Sequence, residues 1–198
     1  MFIVLFSYLI LLRMGELILA ERNRRWAMAQ GGLEADRRQY LVIIAVHTLF
    51  YLSLWLEWKY WSYGWNALWP IWLGLLAGAQ IVRFWAILAL GRHWNTKTIV
   101  LPQMKLVTRG PYRFIRHPNY LAIITEFVAI PVLCGAYRTA VVFSLANAWI
   151  LARRIPQEER ALRQYSGDTL PPVPRFFPRY LRIRSHPEGH GPGSGTRL

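Results

Sequence analysis

Acid is scarce in this chain. Ten Asp and Glu stand against 24 Lys and Arg, a formal net charge of +14 over 198 residues. Gathered into one stripe, that surplus would suit nucleic acid. Here Arg and Lys fall between hydrophobic runs, which points to a membrane topology signal and to no nucleic-acid partner. Cysteine is almost missing. Cys134 alone excludes an intramolecular disulfide and is expected to be a buried apolar thiol. No Cys/His spacing resembles a zinc site, so no metal is expected. There is no internal repeat and no nucleotide-binding glycine fingerprint, and Gly110-Pro111 signals a turn and nothing more.

What is abundant is apolar and aromatic surface. Hydrophobic residues make up 54% of the chain, with ten Trp and ten Tyr, more than a soluble domain of this size needs. In bilayer proteins Trp and Tyr gather where hydrocarbon meets headgroups. The run Phe2 to Ala20 is long enough to cross a hydrocarbon core of ~30 Å at ~1.5 Å per residue. It begins without a basic leader or cleavage site and is read as a retained span. Arg13 and Glu16 interrupt it three residues apart, on one helical face, where they can pair. Further spans are expected from Tyr40 to Leu56 and from Trp69-Pro70 to about Leu90. Asn119 to Leu133 and Thr139 to Ala152 follow, each too short to cross comfortably. Joined through Gly135-Ala136-Tyr137-Arg138, they read as a helical hairpin that tilts or thins the bilayer.

The expectation is therefore an all-α integral membrane bundle of about five transmembrane helices. The segments after spans one, three and five are Arg-rich, and those after two and four are nearly bare. That alternation places the N-terminus outside and the C-terminus in the cytoplasm, in a multi-pass protein of a bacterial inner membrane. The chain divides into a three-span region over 1–90, a C-terminal region with the hairpin over 91–184, and a flexible Gly-rich tail over 185–198.

Two cytoplasmic clusters carry groups able to do chemistry. The first runs from Leu106 through Thr108, Gly110, Tyr112, Arg116, His117 and Pro118 to Tyr120. Pro118 restricts His117 to an extended conformation and suits the first turn of a helix. Unsatisfied amides at that helix start, beside Arg116 and His117, favour carboxylates and phosphates. A basic loop resting on anionic headgroups is the plainer alternative. The second cluster is Arg153-Arg154-Ile155-Pro156-Gln157-Glu158-Glu159, in which Arg154 and Glu158 stand four apart and can pair, or form an ordinary surface ion pair. Glu126 lies inside the fourth span, where a carboxylate is either functional or hydrogen-bonded to another helix. His47 and His93 are isolated and are expected to pack in the core or at an interface.

Together the clusters resemble the isoprenylcysteine carboxyl methyltransferase family. The matching pieces are Leu106-Val107-Thr108-x-Gly110-x-Tyr112, Arg116-His117-Pro118-x-Tyr120, Arg154-Ile155-x-x-Glu158-Glu159-x-x-Leu162 and the closing Pro174-Arg175-Phe176-Phe177-Pro178. They cover about residues 91–180; the first three spans match in hydropathy only. The resemblance implies a helical membrane fold that encloses S-adenosylmethionine. Carried over by position, Met104, Lys105, Leu106, Val107, Tyr112, His117, Pro118, Asn119 and Tyr120 would surround this cofactor. Glu158 would touch it too, and Arg154 would face the acceptor. Arg13-Met14-Gly15-Glu16-Leu17 and His47-Thr48-Leu49-Phe50 add similarity to a bacterial branch, some of whose members are linked to type III polyketide synthases. The interruption by Pro156-Gln157 and the abbreviated segment at Tyr165-Ser166-Gly167-Asp168 depart from the family pattern and leave the acceptor open.

The function this implies is O-methyl transfer to a lipophilic acceptor at the cytoplasmic membrane face. The acceptor is the carboxylate of a prenylated or similar lipid-like molecule, or the enol or phenol of an alkylpyrone-type lipid. A carboxylate needs no base; an enol or phenol would use Glu126 or Glu159. Two alternatives compete: an NADPH-dependent membrane reductase sharing the Arg-His-Pro element, and a non-enzymatic basic adaptor gathering anionic lipids.

Overall fold

The computed structural model describes residues 2–35, 37–61, 64–166 and 169–176; the tail expected over 185–198 lies outside them. The fold is an all-α membrane bundle of five helices: α1 (Phe2–Ala29), α2 (Arg37–Trp61), α3 (Trp69–Leu90), α4 (Pro118–Leu133) and α5 (Tyr137–Tyr165). The first three are long and apolar enough to cross a membrane, and α4 is a shorter apolar helix. Two strands of three residues, β1 (Leu33–Ala35) and β2 (Thr98–Val100), pair antiparallel with Leu33 opposite Val100.

Each helix has local causes. Pro70 opens α3, and Gly91, at φ +55°, ends it in a conformation that costs glycine little. Pro118 opens α4 as the sequence predicts. Pro131, inside α4, has no N–H to give the carbonyl of Phe127. The hydroxyl of Ser144 on α5 donates to that carbonyl at 3.3 Å instead, so the interruption becomes a helix–helix contact. α3 and α4 pack on one another, and each carries small buried residues, Ala79 and Ala86 on α3 and Ala122 and Ala129 on α4, the composition that close membrane-helix packing favours.

Three helices outrun their expected spans, and α2 runs from Arg37 to Trp61 where Tyr40 to Leu56 is expected. α1 continues past Ala20 to Ala29, because the helix need not stop where the hydrocarbon does. Glu21 accepts from Arg24 and Arg25 at 2.7 and 2.9 Å, and Asn23 donates to the carbonyls of Gly91 and Trp94. α5 runs unbroken through Pro156 to Tyr165, carrying the second polar cluster on a rigid rod.

The loops segregate by end. At one end β1, after α1, meets β2, after α3, and Lys97 pairs with Glu34 at 2.9 Å. The segment after α5 reaches the same end, where the N–H groups of Arg116 and His117 donate to the carbonyls of Pro174 and Arg175. At the other end Glu57 of α2 caps α5, accepting from the amides of Arg138 and Thr139 at 3.0 and 2.7 Å. All three basic segments therefore share one end, as the charge alternation requires. A core of Phe2, Leu9, Phe50, Leu54, Leu76, Phe127 and Ile130 fills the bundle toward the opposite end, with Phe2 stacked on Trp58 and Phe50 on Phe127.

Candidate active site

Between that core and the basic end lies a cavity of about 470 Å³. Gly110 fixes the loop that forms part of its wall. At φ +62° it adopts a conformation rare for other residues, and a Cβ there would lie 2.7 Å from the Cβ of Ala89. This close approach seats the turn Gly110–Arg113 on α3, and Arg109 Nε donates to the Ala89 carbonyl at 3.1 Å. Tyr112 then faces the cavity. Burial, reinforced by the charge of Glu158, pushes its phenol upward, so it stays neutral.

The start of α4 is locked from two sides. His117 Nε2 lies 3.1 Å from Glu159 Oε1, and the imidazole stacks on Tyr120. Glu159 also accepts from Arg116 at 3.2 Å and from Arg175 at 3.1 and 2.7 Å. Burial opposes its ionisation, but the hydrogen bonds from Arg175 and His117 and the charge of Arg116 outweigh it and bring the carboxyl down to about 2. One charged carboxylate thus ties the segment before α4, the body of α5 and the chain beyond it.

Arg154 stands at the centre. Its Nε donates to Tyr120 Oη at 2.7 Å and its Nη2 to the Thr96 carbonyl at 2.5 Å; Glu158 is 4.0 Å away, four residues on, and accepts from Tyr120. Orphaned polar atoms mark the surrounding wall: among the described residues, Asn119 Oδ1 and Trp94 Nε1 are buried without a hydrogen-bond partner, and both residues line the cavity. Such atoms carry an unmet cost unless a ligand supplies the partner.

Farther in, the cavity turns apolar. Ile10, Met14 and Leu17 of α1 and Ile43 and Ile44 of α2 line this part, and Met14, Leu17 and Ile44 are exposed. The cavity therefore has an apolar flank lined by these two helices. At its inner limit is a charged cluster. Arg83 donates to Glu126 at 2.5 Å and to Glu16 at 3.1 Å; Arg13 donates to Glu16 at 2.5 Å and also to Glu126; Gln80 donates to Glu126 at 2.5 Å. Two guanidiniums balance two carboxylates in a region of low dielectric.

Among the residues singled out from sequence, Met104, Leu106, Val107, Tyr112, His117, Asn119, Tyr120, Arg154, Glu158 and Glu159 line this one cavity. Lys105, Pro118 and Glu126 do not. Glu126 is 2% exposed and its oxygens serve the charged cluster. The expected Arg13–Glu16 pair is present as part of the same cluster. Sequence reasoning missed Trp94, Thr96 and Tyr40 on the cavity wall. His47, expected to pack, both packs on Phe127 and lines the cavity. A polar residue inside an apolar span was the available signal for His47 and Arg83. Thr96 acts through its backbone carbonyl, and no side chain announces that.

Comparison with known proteins gives the chain a family. Residues 72–164 match the family model for the isoprenylcysteine carboxyl methyltransferase (ICMT) family. The uncharacterized protein YpbQ of Bacillus subtilis is 40% identical over 166 residues, covering 84% of this chain and 99% of its own. The chain belongs to the isoprenylcysteine carboxyl methyltransferase family. An uncharacterized protein of Haemophilus influenzae is 29% identical over 160 residues, 80% of this chain and 93% of its own. Protein-S-isoprenylcysteine O-methyltransferase B of Arabidopsis thaliana is 31% identical over 97 residues, 48% of this chain and 49% of its own. No solved structure matches. Full-length similarity thus runs to bacterial members, while similarity to the plant enzyme covers about half of each chain. This membership makes the protein a methyltransferase by family, embedded in a membrane.

Proposed function

We propose that the protein is an S-adenosylmethionine-dependent O-methyltransferase acting on a lipophilic acceptor at the cytoplasmic face of a bacterial inner membrane. The observation that carries this reading is the continuity of one cavity. It joins a polar wall at the basic end, which includes Arg154, to an apolar flank lined by α1 and α2.

The residues present fit the methyl donor. Asn119 Oδ1 is a buried acceptor awaiting an N–H, Trp94 Nε1 a buried donor awaiting an acceptor, and Glu158 offers a carboxylate to an ammonium group. Met104, Leu106, Val107, Tyr112, His117 and Tyr120 complete the wall. When bound, the donor supplies a sulfonium methyl that is already activated: the acceptor oxygen forms the new bond to carbon, and the carbon–sulfur pair leaves with sulfur. The protein's task is then to position and to exclude water. Arg154, held by Tyr120 and Thr96, presents a fixed guanidinium to a carboxylate or enolate head. The acceptor's apolar chain lies along Ile10, Met14, Leu17, Ile43 and Ile44, and enters from the bilayer between α1 and α2. With Glu159 bonded to three side chains and Glu126 outside the cavity, we assign both to positioning: the first holds His117, the second holds Arg13 and Arg83. The reaction then draws on both parts of the chain, since 1–90 supplies the apolar flank and 91–184 the polar wall.

Titration calorimetry on detergent-purified protein tests the reading. S-adenosylhomocysteine is expected to bind at one per chain and NADPH not at all. Membranes carrying the protein are expected to transfer radiolabelled methyl from S-adenosylmethionine into the lipid extract. Binding of NADPH alone would move the protein to reductase chemistry. Binding of neither would leave a basic membrane adaptor.

A further inference from the structure

Two residues of α2 stand unused in that reaction. His47 and Tyr51 lie four apart, hence on one face of the helix, and both line the cavity. His47 Nδ1 is 2.9 Å from the carbonyl of Ile43. In the neutral ring Nδ1 therefore carries the hydrogen, and Nε2 keeps a lone pair as an acceptor. The ring's edge-on packing against Phe127, at 5.0 Å between centroids, sets its orientation. Among the described residues nothing donates to Nε2.

Tyr51 is the complement. Its oxygen accepts from Arg13 Nε at 3.3 Å, and Arg13 is itself held by Glu16 and Glu126. While it accepts there, the phenol keeps its own hydrogen to donate, and no acceptor for it occurs among the described residues. The nearby charges cancel, Arg13 and Arg83 against Glu16 and Glu126, so the wall rewards a neutral group over an ion. A donor and an acceptor on one face of α2, lining the same cavity, complement a hydroxyl, which accepts and donates through a single oxygen.

We propose that His47 and Tyr51 form a second polar subsite that takes a hydroxyl on the acceptor's chain, set back from the oxygen that is methylated. Its depth follows from α2. Tyr40 lies at the basic end, with its hydroxyl 3.2 Å from Thr96 Oγ1, and the Thr96 carbonyl receives Arg154. His47 is seven residues deeper, ~10 Å along the helix axis. The acceptor is therefore a lipid oxygenated at two places, its head at Arg154 and a hydroxyl farther along the chain, toward His47 and Tyr51. An unsubstituted prenyl or acyl chain leaves the donor and the acceptor unmet, and that cost sets the specificity. The proposal rests on the methyl-transfer reading above.

The test uses octadecanoate and a series of octadecanoates hydroxylated at successive chain positions as probes. Binding to the detergent-purified full chain is measured in the presence of S-adenosylhomocysteine. One stretch of hydroxyl positions is expected to bind about tenfold tighter than octadecanoate, the worth of roughly one good hydrogen bond. The preference is expected to disappear in Tyr51→Phe and in His47→Phe, with S-adenosylhomocysteine affinity retained in both. Equal affinity at every position, or a preference that survives both substitutions, would overturn the subsite. Failure of S-adenosylhomocysteine to bind the unsubstituted protein is a different result, and it counts against the methyl-transfer reading itself.

Discussion

Arg154 is fixed before any acceptor arrives, because its guanidinium plane is pinned by the hydroxyl of Tyr120 and the carbonyl of Thr96. A lysine would keep the charge and lose the fork. Arg154→Lys is therefore expected to lower methylation about 100-fold or more, the scale seen when one preorganised donor is removed. S-adenosylhomocysteine affinity, measured calorimetrically, is expected to change by no more than about threefold; a comparable loss there would place Arg154 with the donor. Glu159 has the opposite character, a carboxylate fully spoken for. Its carboxyl sits at about 2 in the fold against an ordinary ~4.3 when unfolded. A depressed value means the stabilisation is complete above the ordinary range and fades as pH falls toward 2. In Glu159→Gln that contribution is gone at every pH. The gap in thermal unfolding between the two proteins should be widest near neutrality and should narrow at about pH 3. A gap that stays constant with pH would mean that the carboxylate's charge is not what holds Arg116, His117 and Arg175 together.

The turn Gly110–Arg113 shows how an element can depend on one missing atom. Gly110→Ala adds a Cβ in a left-handed backbone conformation and directs it at Ala89 on a well-packed helix. Strain and overpacking each cost about 1–3 kcal/mol. The wall that carries Tyr112 is then expected to lift from α3. S-adenosylhomocysteine binding should weaken at least tenfold while the far-ultraviolet helical signal persists; undiminished binding would show that the turn is not part of the donor wall. This element was legible from sequence, since Gly110-Pro111 and His117-Pro118 announce a turn and a helix start. α3 was legible for similar reasons, bounded as it is by Trp69-Pro70 and Gly91. The extensions of α1 and α5 were not, because hydropathy reports the edge of the lipid and says nothing of where hydrogen bonding stops. Helix persists there through Asn23, which holds two carbonyls, and through tolerance of Pro156. The three-residue strands were illegible as well: segments so short carry no alternation, and only the meeting of two distant loops makes them pair.

At the scale of the whole molecule, charge and contacts converge independently on one arrangement. Lys and Arg alternate between loops, which orients the chain in a bilayer. Separately, β1–β2 pairing and the bonds from Arg116 and His117 to Pro174 and Arg175 bring the same three segments to one end. On the proposed reading the site lies at that end, where a water-soluble methyl donor has access, and its apolar flank opens toward the lipid. If the basic end is cytoplasmic, donor and acceptor meet from two phases at Arg154. Single cysteines in a Cys134→Ala background decide this. A maleimide that cannot cross membranes is expected to label Asn66→Cys, in the loop after α2, on intact cells. Lys105→Cys, in the loop that carries the donor wall, should react only after permeabilisation. The reverse pattern would put the donor wall on the face that lacks S-adenosylmethionine, and the proposed reaction would have no supply of methyl groups.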